Sequence, residues 1–145
     1  MKNRNIIASM FIAIAIILGV IFLSKIVFPV GLEDYFKKDY YNQFGPFVIS
    51  IELLIAGIYL FIEHSKANFT LALFAFTALL DPFFSLIGLF TSLIPFYAMV
   101  IFSCCALLAL WIAFSNVFGL GRISFLGAFG SFILGSVIEL FLNGF

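Results

Sequence analysis

Taken as a string of apolar and polar positions, the chain is a series of long uncharged runs separated by short polar breaks. The runs cover about 6–28, 47–62, 68–90, 96–114 and 123–142. A helix crosses the hydrocarbon core of a bilayer with roughly 17–25 predominantly apolar residues. The pattern therefore predicts an all-α, polytopic transmembrane helix bundle of about five spans, forming one domain over residues 1–145. The break Glu63-His64-Ser65-Lys66 is short enough to make spans two and three antiparallel neighbours. Lys2 and Arg4 ahead of the first run resemble the charged start of a signal peptide. The run is longer than the roughly 7–15 apolar residues of such a leader, and no A-x-A-like cleavage site follows it. It is read as a retained first span ending near Phe28-Pro29, with Lys25 late in it and snorkelling outward.

Residues 30–45 form the one sizeable polar segment. Leu32, Tyr35, Phe36, Tyr40 and Phe44 approximate one helical face, with Asp39 and Gln43 intruding on it. Aromatic rings beside charges suit the headgroup layer, so the segment is either a short interfacial helix or a Tyr-rich loop. Pro46 stands where a second span would begin, a position in which proline is tolerated because the first-turn N–H groups have no helical partner.

The third run breaks the apolar rule from within. Thr70, Thr77, Asp81, Ser85, Gly88 and Ser92 recur at helical spacing and make one polar, small-residue stripe on a helix otherwise of Phe, Leu and Ala. A carboxylate at bilayer depth costs about 2.5–3.5 kcal/mol on insertion scales, so Asp81 is expected to face protein or water. Pro82 removes the hydrogen bond to the Ala78 carbonyl and predicts a kink beside the acid. The alternative topology makes Asp81-Pro82 the tip of a re-entrant hairpin, leaving four true spans. The fifth run carries Gly127, Ser131, Gly135 and Glu139 four residues apart, a small-xxx-small groove for close helix packing. Its acid stands near enough to the end of the run to be solvated.

Composition fixes the class. The 145 residues are 65% hydrophobic and 10% charged, with 22 Phe, and mean hydropathy is +1.28, values of an integral membrane protein. Formal net charge is zero and no basic patch exists, so nucleic acid is not an expected partner. With five spans and the N-terminus in the cytoplasm, Lys2, Arg4, Lys66 and Arg122 lie inside against Lys25, Lys37 and Lys38 outside. That balance follows the positive-inside rule for a plasma (inner) membrane protein.

Three intramembrane acids, Glu52, Asp81 and Glu139, have no basic residue among them. With Thr77 and Ser85 they are the candidates for a proton or cation path. Their plain alternative is a set of separate packing acids, with Asp81 hydrogen-bonded to Thr77 or to a neighbouring helix. Cys104 and Cys105 are adjacent, point to diverging faces and suit inert apolar thiols better than redox chemistry. His64 is the one histidine, so no metal site of familiar type is expected, nor is any cofactor. No nucleophile elbow, phosphate loop or zinc-hydrolase motif occurs, and catalysis is not expected.

The motifs Gly19-x-x-Phe22-x-x-Lys25 and Glu52-Leu53-x-x-x-Gly57-x-x-Leu60 resemble those of the DoxX/MauE-type small membrane proteins. The resemblance covers roughly residues 17–60. It implies a four-helix protein, possible association with thiol- or quinone-linked redox systems, and Lys25 and Glu52 as the residues carried over. The fifth span and Asp81-Pro82 depart from that pattern. The resulting expectation is an accessory or structural subunit of a membrane complex, with the bilayer and other membrane subunits as partners. The alternatives are a proton or cation conductor using the intramembrane acids, and a redox-linked membrane helper.

Overall fold

The computed structural model describes residues 2–26, 44–63, 66–88, 96–115 and 122–142. The expected interfacial segment falls almost wholly outside them, as do His64 and Ser92. Among the described residues every regular element is helical: α1 (Lys2–Ser24), α2 (Gly45–Phe61), α3 (Ala67–Leu86), α4 (Phe96–Ser115) and α5 (Phe125–Leu142). Helices α1, α3 and α4 are long and apolar enough to cross a membrane; α2 and α5 are apolar and shorter.

Two helices end four residues short of the apolar runs that predict them, and both ends have local causes. Helix α1 stops at Ser24, whose hydroxyl donates to the Ile21 carbonyl at 2.7 Å. The next two amides close i→i−3 bonds, Lys25 to Phe22 and Ile26 to Leu23, which tighten the last turn. Lys25 is therefore an exposed residue of the turn after α1, not part of the helix. Helix α3 stops at Leu86 because Gly88 takes φ +85°, the left-handed conformation that ends helices and that glycine adopts without steric cost. Gly88 is thus a stop signal and no member of the polar stripe. Pro82 sits inside α3, which continues through it for another turn, so the chain does not reverse at Asp81-Pro82.

Helices α1 and α2 pack antiparallel, and Gly57 sets their spacing. A Cβ there would lie 3.2 Å from the Ala8 carbonyl oxygen and 3.1 Å from the Phe11 Cβ, so only glycine fits without shifting α1. Toward the other end of the pair, Gly19 faces Ser50. Helix α3 touches α2, α4 and α5, which makes it the hub of the chain. The main cluster of buried hydrophobic side chains comes from α1 to α4. At its centre the Phe102 ring of α4 lies 6.2 Å from Phe74 of α3, edge-on, and 6.3 Å from Phe22 of α1. Helix α5 adds nothing to that cluster and is held against α3 instead.

The α1–α2 pair is clasped by an ion pair between the buried Arg4 guanidinium and the half-exposed Glu63 carboxylate. Arg4 also donates to the Asn5 side chain at 3.0 Å. Glu63 has φ +57°, a left-handed conformation that costs a non-glycine residue about 1–2 kcal/mol. The clasp and the strain oppose each other at one residue, which two substitutions separate. Glu63→Gln loses the charge and keeps the strain, whereas Glu63→Gly loses the charge and releases it. Glu63→Gln is expected to be the less stable by about 1 kcal/mol in detergent thermal melts. Equal melting temperatures would show that the backbone at this position is not strained.

Candidate functional site

Helices α3 and α5 run parallel, which the apolar runs alone do not reveal. Gly130 faces the Phe69 ring, Phe132 packs edge-on against Phe76 with centroids 5.5 Å apart, and Gly135 lies on Thr77. Both residue numbers rise together along the seam. The closest point is Gly135, where a Cβ would stand 3.1 Å from the Thr77 hydroxyl and 3.3 Å from the Thr77 amide nitrogen. Absence of a side chain at Gly135 is what lets the two backbones meet, the usual device where helices associate in lipid.

One turn beyond that point on both helices stand Asp81 and Glu139, so parallel packing brings the two acids to the same level. Both are buried: Asp81 is 2% and Glu139 0% exposed. The expectation that Glu139 is solvated fails, because the face that carries it is the face α5 lays on α3. Asp81, Ser85 and Glu139 each engage in a hydrogen-bonding or electrostatic interaction. Ser85, one turn past Asp81, is only half-buried.

From α2 comes Glu52, mid-way along the helix and 8% exposed. Its carboxyl group faces the Thr77 hydroxyl. That hydroxyl already donates to the Leu73 carbonyl at 2.8 Å, and both Glu52 carboxyl oxygens are buried without a hydrogen-bond partner. Thr77 itself is fully buried. It is touched by Gly135 from α5 and by Glu52 from α2, with Asp81 one turn along its own helix. Thr77 thus stands between Glu52 of α2 and the level at which Asp81 and Glu139 lie. Among the described residues no three His, Cys, Asp or Glu side chains are grouped as ligands of one metal ion.

The remaining sequence candidates fall elsewhere. Ser131 is buried on the seam, its hydroxyl donating to the Ala128 carbonyl at 2.8 Å. Gly127 belongs to the start of α5 and not to the seam, since a Cβ there would meet Ile123 and Ser124 of the same segment. Its amide donates to the Ser124 hydroxyl at 3.0 Å, a helix N-cap that a serine three residues ahead of a small residue signals in the sequence. Lys25 and Glu52 are not brought together, one lying in an exposed turn and the other buried at mid-helix. Phe22, Leu53, Gly57 and Leu60, which carry much of the family resemblance, are buried where α1 and α2 meet the bundle. Cys104 is exposed, Cys105 is buried, and both are free thiols.

The seam makes a direct prediction about size. Gly135→Leu inserts a side chain where a single carbon already crowds Thr77, and is expected to cost about 1–3 kcal/mol, the range for overpacking. Leu134→Phe, at an exposed neighbour, is expected to leave the melting temperature unchanged. Equal tolerance of the two in a detergent melt would mean that α5 does not dock on α3 through this face. No family model, curated protein or solved structure matches the chain.

Proposed function

We propose that the chain is a small plasma-membrane protein of five spans, N-terminus cytoplasmic, that binds and passes protons along Glu52, Asp81 and Glu139. The observation that carries this reading is Glu52, a carboxyl group buried at mid-helix with neither oxygen hydrogen-bonded, facing a hydroxyl shared with the α3–α5 seam. An unpartnered ionisable group is expensive at bilayer depth and is retained mostly where it works. The three acids have no Lys, Arg or His among them within the described residues. The acids are strung out rather than gathered, which suits a proton handed from carboxyl to carboxyl better than an ion held by all three at once.

A second reading, an accessory or structural subunit of a membrane complex, is favoured by one feature of α5. That helix leans mainly on α3, and Phe125, Leu126, Phe129, Val137 and Phe141 on its other sides are exposed. Such a face is covered by lipid or by another subunit.

Flux decides between the two. The purified protein in liposomes containing a pH-sensitive dye is expected to dissipate an imposed proton gradient when potassium and valinomycin supply the compensating charge. Glu52→Gln and Asp81→Asn keep shape and hydrogen-bonding capacity while removing the titrating group. Both are expected to fold with near-native melting temperatures and to lose the flux. Asp81→Leu is expected to lose stability as well, by about 1–3 kcal/mol, because it strands the groups that now interact with the acid. Absence of flux in the unaltered protein, or flux unchanged in both amide variants, would leave the subunit reading in place.

A further inference from the structure

We infer that the groove between α1 and α2 binds an anionic phospholipid, its acyl chain lying in the groove and its phosphate on the Lys25 ammonium.

The groove forms where Gly19 of α1 meets the small side chain of Ser50 of α2, and its volume is about 240 Å³. It runs from Leu23 and Phe47 at one end to Ala15 and Leu54 at the other. From Leu23 to Ala15 is eight residues, about 12 Å at the helical rise. The hydrocarbon of one leaflet is about 15 Å deep, half of a typical core of about 30 Å. The groove therefore follows most of one leaflet, the shape of a single extended chain. Its lining is apolar, because the Ser50 hydroxyl donates to the Pro46 carbonyl of its own helix at 3.1 Å. Val20 and Ile51 on the rim are exposed, so the groove opens on the outer surface of the helix pair, where a bilayer supplies hydrocarbon.

Charge selects the headgroup. Gly57 lies against Phe11 and Ile12, and Gly19 against Ser50, so the two helices keep one antiparallel register. Carried six residues further, that register puts Lys25 level with Phe44, the N-cap of α2, just beyond the Leu23 and Phe47 end of the groove. Lys25 is exposed and makes no ion pair with another described residue. Of the four described acids, Glu63 is at the opposite end of α2 in the clasp with Arg4, and Glu52, Asp81 and Glu139 are buried. A lysine in this place rests its methylenes on apolar surface and lifts its ammonium to the headgroups. The start of α2 adds the partial positive charge of a helix N-terminus at the same level. A phosphodiester of net negative charge complements that mouth. A zwitterionic lipid brings its own cation toward Lys25 and gains less.

Native mass spectrometry of the detergent-purified protein tests this, with phosphatidylglycerol and phosphatidylcholine of identical acyl chains added in equal amounts. The unaltered protein is expected to retain phosphatidylglycerol about fivefold over phosphatidylcholine, the preference that one cation near the headgroups confers. Lys25→Gln is expected to retain the two equally. Arg122→Gln removes an exposed cation just ahead of α5, at the opposite end of the bundle, and is expected to keep the preference. Gly19→Leu, which fills the groove, and Val20→Trp, which narrows it from the exposed rim, are both expected to abolish the preference, the second at an unchanged melting temperature. Equal retention of the two lipids by the unaltered protein overturns the inference. So does a loss in Arg122→Gln as large as that in Lys25→Gln, the mark of a diffuse charge effect. A preference that survives both groove-filling changes also overturns it, leaving a site for phosphate alone.

Discussion

A carboxyl group inside an apolar bundle must be faced by something, and this chain meets that requirement with one helix. Helix α3 carries Thr77 and Asp81 on a single face, and the helices around it are placed so that this face is covered. Helix α5 covers it by close backbone approach at Gly135, and α2 covers it with Glu52. Covering an acid with a second and a third acid is an unusual solution energetically, since removing charge from water is costly. Helices α1 and α4 have a simpler task. They complete an aromatic and aliphatic core around Phe22, Phe74 and Phe102 that holds α2 and α3 at the spacing the polar face needs.

Two kinds of cohesion therefore coexist in a small fold. Among α1 to α4 the packing is largely side chain against side chain, with Gly57 bringing the α2 backbone close to that of α1. Between α3 and α5 the packing includes small residues and polar groups, with Gly130 on Phe69, Gly135 on Thr77, one aromatic pair, Ser131 and the acids.

Much of this was legible from spacing within single helices. The four-residue step from Thr77 to Asp81 puts both on one face, and the matching steps of Ser131, Gly135 and Glu139 predict a second face to pair with it. What spacing does not contain is register between helices. That Gly135 lies on Thr77, and Glu139 at the level of Asp81, follows from α3 and α5 running parallel, a long-range fact with no local signature. The burial of Glu139 was missed for the same reason: distance from a helix end says nothing about a neighbour that extends as far. Gly88 and Gly127 were misplaced because a periodic pattern treats every small residue alike. In the fold, Gly88 supplies a left-handed turn and Gly127 a capped amide, and neither lines the seam.

The division between the α1–α4 core and α5 also orders the protein's biogenesis. Synthesis runs from the N-terminus, and among the described residues the buried cluster draws its members from the first four helices, so all of them are synthesised before α5. Helix α5 is the segment that must bring a carboxyl group into the bilayer late in translation. The residues that meet it on α3, Thr77 at Gly135 and Asp81 at the level of Glu139, precede it in synthesis. A chain stalled or cut before α5 would leave that face of α3 open to lipid, with Asp81 uncovered and the membrane quality-control machinery presented with an intramembrane acid as its signal.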